Sequence, residues 1–574
     1  GNNWNVISED LTRQIDRNAL KVMGRVWGVD AVAKNQSTSI YGNIVSLCES
    51  PLDPNLLYVG TDDGLIQVST DRGKTWKKVD KIAGAPDTSF VNMIIASSHD
   101  ANVVYSCFNH HKYGDFKPYL FVSKDKGMTW ASISSNLPER GSVYSIAEDH
   151  VDPNLIFVGT SFGCYFTNSG GKSWKKLGSG LPTIAVRDMA IQKRENDLVL
   201  ATFGRGFYVL DDYSSLRNIS ESNLSKEAMI MPVRDALSFE YSYPLGLPKQ
   251  GFQGNDYYLG ENLGHEALIS FYIKDKIVTP KDARKKEDDK LAKDGKDTPY
   301  PTYEQLAKER DEEKAMRYLL IKDQAGNLVR KYSIGAGQVG LQRISWDLRS
   351  MDKEPVSSGD PSFYNPFNSP TEGPLVAPGT YTASLAAWQN GIMTAIGNTE
   401  KIVVKSLDHH ALPAKDAAAT VQFKRKVEND LRVLTATSNA IGDALSELGQ
   451  IRKTIAKMET PDEQWMSDIM RIENELKILN RQLSGDPLKV QLDMDPTPSL
   501  SDRLNKIAGE SKYSSSDPTG THLMSLQIAE EELTPIVEKL RVILEKDMPA
   551  LRLKLQEAGA PYTPNVIPAF KTKG

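Results

Sequence analysis

The chain has 574 residues, 40% hydrophobic and 25% charged, with a formal net charge of -5 at pH 7. That near-balance gives no global attraction to nucleic acid or to an acidic membrane surface, and no run of about twenty apolar residues is present to span a membrane. Cys48, Cys107 and Cys164 lie at or near successive apolar runs, so they read as small buried thiols rather than a disulfide framework or metal site.

In chain order, the first feature is Gly1-Asn2-Asn3-Trp4, the tail of a turn that recurs in full downstream. Ser69-Thr70-Asp71-Arg72-Gly73-Lys74-Thr75-Trp76 is the first complete copy and Ser123-Lys124-Asp125-Lys126-Gly127-Met128-Thr129-Trp130 the second. Asn168-Ser169-Gly170-Gly171-Lys172-Ser173-Trp174 is a third, with Ser169 in place of the acid. A short polar side chain can hydrogen-bond its own turn, glycine takes positive φ, and tryptophan is expected to plug the space beneath. Around the turns, runs such as Leu57-Tyr58-Val59-Gly60-Thr61, Ile156-Phe157-Val158-Gly159-Thr160 and Leu198-Val199-Leu200-Ala201-Thr202 alternate with Asp-Pro-Asn or Gly turns. Short β-branched and aromatic runs at this spacing predict the blades of a β-propeller over residues 1–213. Four blade-like units are few for a closed ring, and Gly1 falls inside a motif whose first half is missing, so further upstream blades are expected.

The S-x-D-x-G-x-T-W pattern resembles the Asp-box of sialidase-like, sortilin-type and xyloglucanase-type propellers. With Gly60-Thr61-Asp62-Asp63-Gly64 and the run from Ala201 to Asp212, the chain is similar to large secreted bacterial sortilin-like or BNR/Asp-box repeat proteins. The resemblance implies that Asp71, Gly73, Trp76, Asp125, Gly127, Trp130, Gly171 and Trp174 are structural and lie away from the central axis. It also implies a secreted, periplasmic or outer-membrane-associated location.

Residues from Arg13 to Gln36 are polar with scattered apolar positions and predict a loop at the propeller face. The stretch Cys107 to Phe116 reads as an inserted loop carrying His110 and His111. Adjacent histidines in extended chain point opposite ways, so no metal is assigned to them. By equivalence, the turns holding Asp62, Asp63, Phe162 and Arg205 face one end of the propeller, and with His110 and His111 they are the ligand-contact candidates. A glycosidase needs two facing carboxylates, and the neighbours Asp62 and Asp63 do not make such a pair.

Residues 214–235 read as a connector. Alternating runs from 236 to 406, including Ala267–Ile273, Leu341–Arg349 and Pro378–Leu385, predict an antiparallel Ig-like β-sandwich. A charged insertion, 278–315, is too polar to bury a face and is expected to be solvated or partly helical. The Pro- and aromatic-rich stretch 357–374 reads as a long loop. From 407 to 560 the apolar period becomes helical: Val427, Leu431, Leu434 and Ile441, then Ile469, Ile472, Leu476 and Leu479, then Leu526, Leu533 and Leu540. These narrow stripes predict an antiparallel bundle, with Thr460-Pro461-Asp462-Glu463 as a capping box and Pro535 and Pro549 as bends. Residues 561–574 form an extended tail.

Two classes of function fit. One is a non-catalytic binding or scaffold protein, without cofactor, using its propeller face for a protein or glycan partner, or serving as a subunit of an outer-membrane or secretion assembly. It is favoured by the lack of Gly-x-Ser-x-Gly, His-Glu-x-x-His and phosphate-loop motifs. The other is an Asp-box propeller glycoside hydrolase with catalytic carboxylates partly in upstream blades.

Overall fold

A computed structural model describes residues 3–34, 36, 40–178, 180–239, 266–352, 355, 372–407, 412–459, 461–494, 497–512, 514–561 and 564–567. They fall into two compact units, residues 1–226 and 227–574.

The first unit is a row of antiparallel sheets. β1 (Ile44–Glu49), β2 (Leu57–Thr61), β3 (Ile66–Ser69) and β4 (Lys77–Val79) hydrogen-bond in chain order. So do β5 (Phe90–Ala96), β6 (Val104–His110), β7 (Asp115–Ser123) and β8 (Ala131–Ser132), and then β9 (Val143–Glu148), β10 (Ile156–Thr160), β11 (Gly163–Thr167) and β12 (Lys175–Lys176). The fourth sheet has three strands, β13 (Val186–Gln192), β14 (Asp197–Thr202) and β15 (Phe207–Leu210). The first strands of consecutive sheets, β1, β5, β9 and β13, pack side by side. One apolar cluster joins the first two sheets, with Tyr58, Ile66, Val91 and Phe108, and another joins the second and third, with Cys107, Leu120, Val143 and Ile156. Burial pushes the Cys107 thiol well up and that of Cys164 to about 12, so both are protonated core groups at neutral pH.

Each box closes the turn between the third and fourth strands. Ser69 Oγ donates to Asp71 at 2.9 Å and accepts the Gly73 N–H at 2.7 Å, while Asp71 accepts the Thr75 N–H at 2.9 Å and the Thr75 hydroxyl at 2.7 Å. Ser123, Asp125, Gly127 and Thr129 repeat that pattern. The third box does it with hydroxyls, Thr167 accepting from Gly171 and Ser169 from Ser173. Two consecutive left-handed residues make the bend: Arg72 (φ 62°) with Gly73 (85°), Lys126 (61°) with Gly127 (83°) and Gly170 (62°) with Gly171 (89°). The Thr129 hydroxyl, aided by the Thr129 N–H, holds the Asp125 carboxyl at about 2. Thr129→Val should therefore move that carboxyl back toward the ordinary aspartate range, read by NMR titration; an unmoved value would remove the hydroxyl's role.

Of the box tryptophans, one is the buried plug expected and the others are not. Trp174 is buried, Trp76 and Trp130 are half-buried, and Trp4 is exposed. In the first two complete boxes the indole N–H donates to the box's own glycine carbonyl, Trp76 to Gly73 at 3.1 Å and Trp130 to Gly127 at 3.0 Å. Each ring therefore lies across its turn rather than beneath it. The stretch from Cys107 to Phe116 is also no free loop. It is the end of β6, a single 3-10 turn over His111–Tyr113 and the start of β7, with His110 paired across the ladder to Asp115. The segment after the fourth sheet carries a 3-10 helix, Tyr213–Asn218, and the short α1 (Glu221–Leu224).

The second unit contains two sheets around one core. The three-stranded sheet orders β16 (Ala228–Ile230), β18 (Ala267–Ile273) and β21 (Gly340–Trp346) as β16-β18-β21. The five-stranded sheet runs β17-β23-β22-β19-β20, from β17 (Ala236–Ser238), β19 (Met316–Lys322), β20 (Leu328–Gly335), β22 (Gly379–Gln389) and β23 (Ile392–Ser406). Trp346, fully buried, meets the edge of Tyr381 at 5.3 Å, and both lie in the shared core with Phe271, Leu319 and Ile402. The pair β17–β23 is parallel, so the arrangement is not wholly antiparallel. β16 lies inside the expected connector. The charged insertion forms α2 (Pro280–Lys293), which buries none of its residues, and α3 (Tyr303–Arg310), joined by a bidentate Arg284–Glu309 pair at 2.7 and 2.8 Å.

The helices α4 (Ala417–Ile455), α5 (Glu463–Ser484), α6 (Pro487–Gln491), α7 (Leu500–Lys512), α8 (Gly520–Val542) and α9 (Met548–Glu557) follow. Their apolar stripes meet in a core of Leu448, Leu476, Leu504 and Leu533, among others. α8 runs through Pro535 unbroken, while a π turn, Ile543–Asp547, precedes Pro549 and absorbs the register that its missing N–H removes. Asp462 caps α5 by accepting the Gln464 N–H. Thr460, residues 240–265 of the range read as a sandwich, and Phe363, Tyr364 and Phe367 of the long loop lie outside the described residues.

Candidate binding face

In each four-stranded meander the box turn and the turn between the first two strands share one end. They are tied there by backbone hydrogen bonds, Arg72 N–H to Asn55 at 3.1 Å, Lys126 to Asn102 at 2.9 Å and Gly170 to Asn154 at 3.1 Å. The turns between second and third strands, with Asp62, Asp63, His111, Phe162 and Arg205, occupy the other end. Asp71 and Asp125 are thus a strand length away from that face, and their oxygens are held by their own turns.

The candidates do not play equal parts. Asp63 is buried and its carboxylate takes the Thr61 hydroxyl and the Arg13 N–H, while Arg13 Nε donates to the Asp63 carbonyl at 2.7 Å. It anchors the segment before β1 and is out of reach of a ligand. Asp62 accepts from the backbones of Gly42 and Asn43 at 3.0 and 2.7 Å and from the Asn43 amide at 3.0 Å. Its side chain still borders a cavity of about 250 Å³, together with Tyr41, Phe90, Asn109, His110, Lys112 and Tyr113. Burial pushes the Tyr41 hydroxyl up to about 12, with Tyr113 and the two aspartates adding to it. His110 is hydrogen-bonded with Ser89 Oγ at 3.2 Å and stacks on Tyr113 at 4.3 Å, and Lys112 lies over Phe90 at 5.7 Å. Phe162 and Arg205 are exposed.

The first strand of each of the four sheets of the first unit contains a register shift, at Ile44/Ser46, Val91/Met93, Val143/Ser145 and Val186/Asp188. A one-residue bulge re-aims the extra side chain. Those residues are Val45, Asn92, Tyr144 and Arg187. Asn92 donates to the Val143 carbonyl at 2.6 Å and accepts from Asn109 at 2.6 Å, linking the second sheet to the third. The Arg187 guanidinium lies over Tyr144 at 4.0 Å and near Phe203 at 5.4 Å. Burial lowers the His111 pKa, with the charges of Lys112 and Arg187 adding to the effect, and its buried Nδ1 finds no partner among the described residues. Tyr144 and Arg187 were absent from the candidates named from sequence, because a bulge shows only in strand pairing. The one available signal was the recurrence of a branched apolar residue followed by a changing one: Ile44-Val45, Val91-Asn92, Val143-Tyr144, Val186-Arg187.

Three aromatic rings at this end carry a polar or ring partner, Tyr144 a guanidinium, Tyr113 an imidazole and Phe90 an ammonium, while Phe162 stays exposed. Its two turn aspartates are bound to backbone, and no cluster of metal-ligating side chains occurs among the described residues. No described helix is long and apolar enough to cross a membrane.

Residues 67–78 match the BNR/Asp-box repeat, and no curated protein matches the chain. Among solved structures, part of the chain is similar to a GH74 enzyme of Niastella koreensis, with 15% identity, 30% of this chain and 29% of that one covered, and a TM-score of 0.26. The GH74 xyloglucanase of Xanthomonas campestris gives 18%, 28%, 27% and 0.23 for the same quantities, and YCF48 bound to D1 peptide gives 16%, 30%, 51% and 0.24. The match spans about half or less of each of those chains. At such TM-scores the likeness decides neither fold nor activity. The class is that of a mainly β chain bearing an Asp-box repeat on a row of antiparallel sheets.

Proposed function

We propose that the first unit is a run of propeller blades whose turn-bearing face, opposite the boxes, is a non-catalytic binding surface for a protein partner presenting carboxylates. The observation that carries this reading is Arg187, exposed on a bed of Tyr144 and Phe203 and close enough to His111 for its charge to act on that imidazole. A guanidinium held flat on aromatic rings keeps its donor edge for a carboxylate, and it covers the ring that a sugar would stack on. Glycan recognition is the weaker form of the same reading. The reading carries with it a secreted, periplasmic or outer-membrane-associated protein, alone or within an outer-membrane assembly, which cell fractionation and co-purification test.

The direct experiment measures binding of acidic, neutral and basic peptide pools to the full chain and to Arg187→Ala. Acidic peptides should bind, and the variant should lose about ten- to a hundredfold in Kd, the worth of one charged hydrogen bond. Because the His111 pKa is lowered, its proton is gained only below the ordinary histidine range, and binding of acidic peptides should strengthen as pH falls below that range. Equal binding of all three pools would end the proposal, and hydrolysis of xyloglucan by the purified chain would replace it with the hydrolase reading.

A further inference from the structure

We infer that the face of β1 turned away from the second sheet is a docking surface for one more sheet of the same kind, and that Trp4 to Ile7 is the outer strand of that sheet. The packing that repeats along the row carries this. At the position of Leu47 in β1, paired with Val59, β5 has Ile94, paired with Ser106, and β9 has Ile146, paired with Val158. Ile94 and Ile146 are each 2% exposed, whereas Leu47 is 70% exposed. At the position of Ile44, 51% exposed, the later sheets place Val91, Val143 and Val186, each at 0%. Those valines are buried by the second strand of the preceding sheet: a Cβ built on Gly60 would stand 2.5 Å from Val91 Cγ1, and one on Gly159 would stand 2.9 Å from Val186 Cγ1. β1 presents the same apolar pair without a preceding second strand among the described residues.

The segment before β1 supplies the second half. Ile133 follows Trp130 by three residues and comes directly after β8, the outer strand of the second sheet. Its carbonyl accepts the Trp174 indole N–H at 2.8 Å, and its side chain lies where a Cβ on Gly171 would meet it at 2.7 Å. Ile7 follows Trp4 by the same three residues. Its carbonyl accepts the Trp76 indole N–H at 3.3 Å, and its side chain lies 3.1 Å from where a Cβ on Gly73 would stand. Ile7 therefore sits on the first box as Ile133 sits on the third. Trp4 and Val6, on the segment that would complete the added sheet, are each 94% exposed.

The occupant is a three-stranded antiparallel sheet with a small residue in its second strand opposite Ile44 and Leu47, to which the segment from Trp4 to Ile7 adds the outer strand. The probe is the chain's own second sheet: residues 80–126 duplicated directly ahead of Gly1, which rebuilds a full box at the junction. Hydrogen exchange of residues 44–49 should slow about tenfold or more in the extended chain, and Trp4 emission should shift to the blue. Leu47→Asp should leave the unextended chain's thermal midpoint unchanged and abolish the added protection in the extended one. If residues 44–49 exchange as slowly as 143–148 in the unextended monomer, the face is already covered and the inference falls. If native mass spectrometry shows a dimer that protects 44–49, the occupant is a second copy instead. A folded extension, seen as added β signal, that leaves 44–49 exchanging fast would also overturn it.

Discussion

Arg217→Ala should destabilise the first unit by about 3–5 kcal/mol, the cost of removing one partner from a buried ion pair. Asp149 is fully buried at the turn after β9 and receives Arg217 through Nε at 2.7 Å and Nη2 at 2.8 Å, the Tyr213 hydroxyl at 2.6 Å and the Asp152 N–H at 2.7 Å. Arg217 also donates to Asn196 at 2.7 Å, and the Tyr213 ring meets the edge of Phe157 at 5.1 Å. One carboxylate thus ties the chain leaving the fourth sheet to the third. Without Arg217 the charge remains buried with neutral donors only. Burial alone would raise the Asp149 carboxyl, but the bonds from Arg217 and Tyr213 outweigh it and hold the group at about 2. Because the folded value is depressed, the stabilisation is full above the ordinary aspartate range and is lost as pH falls through about 2. Urea unfolding of wild type should show a decline between about pH 4 and 2 that is shallower in Asp149→Asn, where only the other lowered carboxyls such as Asp125 contribute. The double variant Asp149→Leu/Arg217→Met should be more stable than Arg217→Ala, since no charge is left unpaired. An Arg217→Ala midpoint equal to wild type would refute the account.

Gly159→Ala should cost about 1–3 kcal/mol, the usual effect of overfilling a packed contact. Its new Cβ would collide with Ser145 Oγ and stand 2.6 Å from the Val186 carbonyl oxygen, a backbone atom that cannot move without shifting β13. Gly60→Ala meets Val91 instead, Cγ1 at 2.5 Å and Cβ at 2.9 Å; rotation of the valine clears only the first, so this variant should also destabilise, though less than one that meets a backbone oxygen at 2.6 Å. The equivalent residue of the fourth sheet is Ala201, paired with Asp188 as Gly159 is with Ser145. No later sheet of this unit follows it among the described residues, so the methyl has room. Thermal unfolding of the two glycine variants checks the order. If Gly159→Ala melts with or above wild type, the sheets do not approach closely there.

Much of the local structure was legible because it depends on near neighbours. The boxes are self-contained: each polar side chain bonds a backbone group within four residues, and glycine takes the left-handed position. The helical stripes of Val427 to Ile455 and Ile469 to Leu483 became buried faces because a 3.6-residue period permits one apolar side. β16 and β23 were missed. The first is three residues long, and the second, exposed along much of its length, has no strict alternation to read. The roles of Asp62 and Asp63 were not separable in sequence, since their partners lie in residues 13 and 42–43, up to 50 positions away.

What the amino-acid order determined by itself was the repeat, its turns and the change from strand to helical periods, all set by interactions within a few residues. Tertiary structure alone decided which carboxylate is buried, which side chains the four bulges turn outward, and that Arg187 rests on Tyr144 and Phe203. Those outcomes depend on the register of one strand against the next and on the approach of one sheet to another, quantities that no local pattern of residues encodes.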